Sequence, residues 1–511
     1  MTMGQDGSTL LALPGVRGQI EAIAADLEAG LNCLWLLPDH LVQTGDAEEL
    51  FRAALQTAPD RLDVQPPTVL PIPTPRGPGT GEPSDRSLAH HAVPWEEQEA
   101  WDGLPDLDFD GGYDIGWDTP APARTTTSPV REHPVPALFE RLGKELAVSP
   151  AEVVARLTDR TGRWRPVIGL RAWREPEDTG QPAPGGPQGT GRGGAVERLL
   201  RSLTAAVKDA GLPPHERPRL LVVSRLRDVP ETLTDELDRD IATAAVHWWW
   251  GSVGRLDTAL AVAAARRPAP AGTLEQRIVA AVRDEVITEL AAFDLPLARR
   301  LTDTWDGTAS RLDPALRSCL DAALITRAGA CPDAPQDAGT RRRPASRLRS
   351  AWSEGVVQSW DGMLRRHPAG WYTADGTAAH RGTRPIELTA LVGQAQQRVV
   401  SPWIEETRDQ LARLGVRYAT KPLDTVVATY SQRPPAGFRD RPEEAFRQLE
   451  VGTLLAAQYD GALAFPAEEE ALLKDLVRVR NILAHRGALR DDTLAAFCTA
   501  LIRAHRRWAK L

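Results

Sequence analysis

Three side chains near one end of the 511-residue sequence have the types and spacing for chemistry on a phosphodiester: Arg480, Asn481 and His485, in the run DLVRVRNILAHRGALRDD from 475 to 492. Breaking an RNA backbone without a metal needs a group to take the 2′-hydroxyl proton, a cation for the charge gathering on the phosphate, and a proton for the leaving oxygen. A histidine titrates near working pH and can serve as base or acid. An arginine fork grips a phosphate with two parallel hydrogen bonds, and an asparagine can orient either the histidine or the RNA. Five positions at ~100° per residue separate Arg480 from His485 by about 140° around a regular helix, so one chain does not close them into a tight pair. Further on, Arg503, His505, Arg506 and Arg507 form a basic cluster suited to RNA phosphates. The plain alternative is an ordinary helix terminus, where cations favour the negative end of the dipole and a glycine, here Gly487, follows closely.

Helical spacing at 388 to 414, 442 to 458, 468 to 485 and 491 to 508 must position these residues, with Pro402 inside the first helix and Pro442 at the start of the second. The short turn holding Gly487 joins the last two helices as an αα-hairpin. Within this setting, Arg480-Asn481-Ile482-Leu483-Ala484-His485 resembles the R-N-x-x-x-H form of the signature of HEPN domains, small helical bundles found in many defence and toxin ribonucleases. The resemblance covers residues 388 to 511. It implies catalytic roles for Arg480, Asn481 and His485 and a homodimer in which two motifs face one cleft. Some members of that family serve only as RNA-binding or dimerisation units.

A different pattern runs through the first half. Residues 8 to 13 (STLLAL) read as a strand, 18 to 30 (GQIEAIAADLEAG) as a helix and 33 to 38 (CLWLLP) as a strand. ERLLRSLTAAVKDAG at 197 to 211 reads as an amphipathic helix before the strands RLLVVS at 219 to 224 and ATAAVHWWW at 242 to 250. Strand, helix, strand is the start of a parallel α/β sheet. A phosphate-binding loop follows the order G-x-x-x-x-G-K-[ST]. From Leu13 to Ile20 the sequence keeps Gly15 and Gly18, with Arg17 near, but Leu13, Gln19 and Ile20 stand where the first glycine, the lysine and the hydroxyl belong. Arg225, after LLVVS, replaces the acidic residue that would organise magnesium. This arrangement, with helical spacing at 273 to 327 as a lid, resembles the inactive relatives of STAND or AAA-type P-loop NTPases. It implies that a nucleotide, if bound near Gly15, Arg17 and Gly18, is held without hydrolysis.

The expected organisation is an α/β domain from 1 to 57 and 195 to 272, an acidic Pro/Gly-rich insertion at 58 to 135, a helical piece and linker at 136 to 194, a helical lid at 273 to 327, a linker at 328 to 387, and the bundle at 388 to 511. Between Trp95 and Asp118 the insertion carries nine acidic residues and no basic one, interleaved with Trp101, Phe109, Tyr113 and Trp117. It reads either as a segment that buries too little apolar surface to fold or as a docking segment for a basic partner protein. A formal charge of −8 excludes a generally basic nucleic-acid-coating surface and leaves only local contacts with RNA. Four scattered cysteines with no C-x-x-C pair suggest neither a zinc site nor a disulfide framework, no other constellation calls for a metal, and no apolar run is long enough to span a bilayer. The expectation is a cytoplasmic bacterial conflict protein for antiviral defence, in which a metal-independent ribonuclease is controlled by an inactive NTPase-like scaffold. The alternative is a non-catalytic interaction or dimerisation protein that recruits a partner effector.

Overall fold

A computed structural model describes residues 10–67, 138–162, 164–175, 194–266, 272–373, 383–485 and 487–510. The acidic stretch between Trp95 and Asp118, a sequence-based candidate for partner docking, lies outside the described residues.

Pro14 opens α1 (Pro14–Glu28), because its fixed φ suits a first helical position and its missing N–H is not needed there. Leu10–Ala12 before it is a turn of 3-10 helix, where the sequence reads as part of a strand at 8 to 13. The first strand is β1 (Asn32–Leu37), buried at every position, and α2 (Asp39–Thr44) and α3 (Asp46–Gln56) follow it. The other strands are β2 (Arg61–Asp63), β3 (Val167–Arg171), β4 (Arg219–Arg225) and β5 (Ala244–Trp248). Helices α4 (Leu138–Leu146), α5 (Val153–Thr158), α6 (Gly194–Asp209) and α7 (Glu231–Arg239) connect them. All five strands are parallel, in the order β2-β3-β4-β1-β5. Both faces of such a sheet are covered, which is why β1 and β4 read as near-continuous apolar runs.

Two strands sit where linker or insertion was expected. β3 falls in the 136 to 194 piece and β2 at the start of the 58 to 135 insertion. Gly169 explains part of the miss: a Cβ there would lie 2.7 Å from both Phe51 and Leu55 of α3, so the strand needs a residue with no β-propensity.

Beyond the sheet come α8 (Arg255–Ala265), α9 (Leu274–Ala291), α10 (Leu295–Thr304), α11 (Leu312–Ser318), α12 (Ala322–Gly329) and α13 (Arg349–Ser353). The antiparallel hairpin β6 (Val357–Trp360) and β7 (Met363–Arg366) turns on Asp361 and Gly362, both at positive φ, as a two-residue hairpin loop requires. The region expected as a linker is therefore built, and Leu348, Trp352, Val357 and Leu364 belong to the core of the sheet half. Trp352 donates to the carbonyl of Trp249 at 2.9 Å and packs edge-on against Trp248, which buries the tryptophan run at 248 to 250.

The final helices are α14 (Thr383–Tyr418), α15 (Leu423–Tyr430), α16 (Pro442–Arg447), α17 (Val451–Tyr459), α18 (Ala467–Ala484) and α19 (Asp491–Trp508). Their core is continuous with α9 and α10: Ile278, Val286, Leu290 and Leu301 share it with Leu411, Leu454, Leu476 and Leu501. Of residues 273 to 327, expected as a lid, α9 packs in the bundle against α14 and α19, while Leu295 and Leu324 pack on the core of the sheet half. Buried Glu289 on α9 fixes the junction, accepting from Arg255 of α8, Arg365 of β7 and Arg398 of α14. Among the described residues no helix is long and apolar enough to cross a membrane.

Candidate functional site

Helix α18 begins with Glu468, Glu469 and Glu470 in its first turn, where carboxylates favour the positive end of the dipole. Leu472, Leu473, Leu476, Val479 and Leu483 form its buried face, and that spacing turns Arg480, Asn481 and His485 outward. All three are exposed. Arg480 reaches Glu450 at 2.9 Å, but its side chain is 44% exposed and that of Glu450 is 70% exposed. Such a pair contributes only about 0 to 1 kcal/mol, so a phosphate can displace the carboxylate. No side-chain hydrogen bond or ion pair joins Arg480, Asn481 and His485 to one another among the described residues, as their angular separation on a helix demands.

What holds this helix end is the loop behind it. The His485 N–H donates to the carbonyl of Asn481, and Gly487 N–H donates to that of Ile482. Buried Gln396, on α14, donates to the Leu489 carbonyl at 2.9 Å and accepts from the Leu489 N–H at 2.6 Å. Gly393 allows the approach, since a Cβ there would come within 2.7 Å of the Gly487 carbonyl oxygen. Gly487 is not at positive φ, so it serves close packing against Ile482 and not a left-handed cap.

The basic cluster of the last helix is elsewhere. Arg507 is tied to Glu468 at 2.8 Å and to Glu469 at 2.9 Å, so the C-terminal end of α19 lies against the first turn of α18. His485 is at the other end, about 24 Å away along the axis at ~1.5 Å per residue. Arg503 and Arg506 are exposed, and His505 faces Thr407 and Trp508. The structure therefore does not bring Arg503, Arg506 and Arg507 beside Arg480 and His485, and Arg507 is already neutralised.

Gly15 and Gly18, which in sequence resemble a remnant phosphate loop, are in the first turns of α1. The Gly15 N–H, which an anion would use, donates to Asp257 at 3.0 Å, and Arg17 donates back to the carbonyl of Ala12. A helix N-terminus is thus occupied by the chain's own carboxylate, and the described residues leading into it, Leu10–Ala12, are 3-10 helix. Arg225, at the position expected to lack an acidic residue, makes a buried two-bond pair with Asp228 at 2.7 and 2.8 Å.

Sequence reasoning missed a group at the carboxyl ends of β1 and β4. The chain leaves these adjacent strands in opposite directions, β1 toward β2 and β4 toward β5, and a crevice opens between them. A cavity of about 830 Å³ lies there. His367, 2% exposed, accepts from the Ala369 N–H at Nδ1, which leaves Nε2 to donate to Asp294 at 2.9 Å. Burial pushes the Asp294 carboxyl up, but the His367 hydrogen bond and charge, the Leu297 N–H and nearby His40 outweigh it and hold it below the usual carboxylate range. Burial also holds the His40 imidazole below its ordinary value, against the pull of Asp294 and Asp46. His40 lies more than 200 positions before Asp294, and His367 is 73 after it, so no local motif announces them.

No group of three or more side chains able to hold a metal occurs among the described residues. No protein family, curated protein or solved structure matches the chain.

Proposed function

We propose that the chain is a metal-independent ribonuclease of the HEPN type, in which the exposed end of α18 supplies Arg480, Asn481 and His485 and a second copy completes the cleft. The observation that carries this is the joint exposure of all three at one helix end whose following loop is held from behind by Gln396. The brace keeps that end fixed, and an exposed arginine with a displaceable partner is free to receive a phosphate. Arg480 would steady the charge gathering on the phosphate, His485 would move the proton, and Asn481 would orient the histidine or the RNA. Because one helix turns Arg480 and His485 apart, the arginine of one copy acts with the histidine of the other. The motif's own helix end, away from Arg503 and Arg506, is the RNA contact in this arrangement.

The sheet half serves as a scaffold related to AAA-type P-loop NTPases. Supporting this, all five strands are parallel, and β1 lies inside the sheet between β4 and β5. The segment after β1, Pro38 to Gly45, is mostly α2 and has one glycine and no lysine, which argues against hydrolysis. A role in antiviral defence accords with the ribonuclease reading.

The test is incubation of the full-length protein with mixed RNA in EDTA, beside His485→Ala. The parent should cut and leave 2′,3′-cyclic phosphate ends, and the variant should not. Equal cleavage by both would place the activity elsewhere.

A further inference from the structure

We propose that the outer edge of β5 takes up an extended acidic segment of a partner protein, which adds a strand to the five-stranded sheet and sets its carboxylates on Arg341 and Arg342. This goes beyond the ribonuclease reading, which gives the sheet half no partner, and does not depend on it.

Among the described residues β5 has β1 on one side and no strand on the other. The Asn32 N–H donates to the Thr243 carbonyl and the Trp249 N–H to that of Leu36, both at 2.9 Å, so the odd-numbered residues here turn their backbone groups toward β1. Successive residues of a strand alternate, which turns the groups of Ala244, Val246 and Trp248 outward. Of these, the Ala244 N–H is used by the Asp240 carbonyl and the Trp248 carbonyl by the Trp250 N–H. The Ala244 carbonyl, both groups of Val246 and the Trp248 N–H remain as an open row, the template on which an extended peptide adds through main-chain hydrogen bonds.

The row lies in a groove of about 790 Å³ lined by every residue of β5, with walls from α1 and from Arg341, Arg342 and Arg343. Its two carboxylates are engaged: Asp26 lies 2.9 Å from His247, and Asp238 pairs with Arg343. Arg341 and Arg342 are exposed, and among the described residues their side chains have no hydrogen bond or ion pair. Two uncompensated cations beside an open strand edge select an acidic chain over a basic one. Ile241, 80% exposed and lining the same groove, offers an apolar contact to the side chains that alternate with the acidic ones on an added strand. A nucleic acid could meet the two arginines but has no row of peptide N–H and carbonyl groups to match the edge, so the edge favours protein.

Fluorescence anisotropy of a labelled peptide of alternating glutamate and valine, titrated with the full-length protein beside a peptide of alternating lysine and valine, tests this. The acidic peptide should bind saturably below millimolar concentration, and the basic one at least about tenfold more weakly. Arg341→Gln combined with Arg342→Gln should weaken the acidic peptide by about tenfold. Val246→Pro deletes one outward N–H, leaves the ladder to β1 intact as an edge strand allows, and should weaken it by a similar factor. Bound peptide should also slow amide exchange, read by mass spectrometry, across residues 244 to 249, which an attraction between charges alone would not do. The proposal is overturned if the acidic peptide does not bind at millimolar concentration, if the double arginine variant, melting as the parent does, binds it equally well, or if exchange across 244 to 249 is unchanged when it is bound. A uridine oligonucleotide that displaces the peptide and loses its own binding in the double variant would assign the arginines to RNA and overturn it as well.

Discussion

Replacing Gln396 by leucine removes the brace behind the α18 end while nearly preserving side-chain volume. Gln396 is 2% exposed and Leu489 1% exposed, and the glutamine amide meets both the N–H and the carbonyl of Leu489. After Gln396→Leu those two backbone groups are buried with no partner on α14. Each orphan costs about 1 to 3 kcal/mol, and relief from desolvating the amide itself offsets part of the sum, so the loop is destabilised by about 2 to 4 kcal/mol. Amide exchange of Leu489, read by mass spectrometry on peptides spanning 487 to 490, should accelerate by about 30- to 900-fold when exchange proceeds through local opening. Peptides from the middle of α18 should change far less, since Leu472, Leu473 and Leu476 keep their burial. Exchange at Leu489 within threefold of the parent would refute the reasoning and show that the loop is held by its packing alone.

Three more outcomes are expected. Glu289→Ala leaves Arg365 without its carboxylate while Glu285 still pairs with Arg255 and Arg398, and should cost about 1 to 3 kcal/mol; a denaturant melt that does not move would contradict it. Asp257→Ala strips the partner from the N–H groups of both Gly15 and Gly254 and should cost about 1 to 3 kcal/mol by the same measurement. Asp294 has a depressed folded pKa, so its contribution is complete above the unfolded value near 4 and is lost as pH falls through the folded value. Acid melts of the parent should therefore steepen below about pH 4, and Asp294→Asn should flatten that limb; identical acid profiles would show that the His367 pair does not stabilise the fold.

The bundle was the most legible part of the chain. Expected helices at 468 to 485 and 491 to 508 match α18 and α19 to within a residue, because a leucine-rich face repeats at helical spacing and Pro466 and the 485 to 490 turn bound them. Strands β1 and β4 were legible for the complementary reason, as short apolar runs buried on both faces, and β5 as an apolar run at the sheet edge. STLLAL is equally apolar but sits beside Pro14, which starts a helix, so composition pointed to a strand where Leu10–Ala12 is 3-10 helix. β2 and β3 were invisible because one is three residues long and the other carries Gly169 to make room for Phe51 and Leu55. Asp361-Gly362 was a readable hairpin signal, hidden in a region of mixed character. Site residues followed the same rule. Arg480, Asn481 and His485 lie within one helix and could be read together, whereas His40, Asp294 and His367 meet only through the fold. Spacing also gave no warning that Arg507 would be used by Glu468 and Glu469 at the far end of α18.

The shared cleft makes a sharp demand on mixed protein. Arg480→Ala and His485→Ala, each inactive alone, should regain activity when combined, because a mixed pair unites the arginine of one copy with the histidine of the other. Random exchange makes about half of the pairs mixed, each with one intact site of two, so cleavage of a labelled RNA in EDTA should return to about a quarter of the parent rate. A mixture that stays as inactive as its components, while the parent cuts and subunits demonstrably exchange, would contradict a site built from two copies.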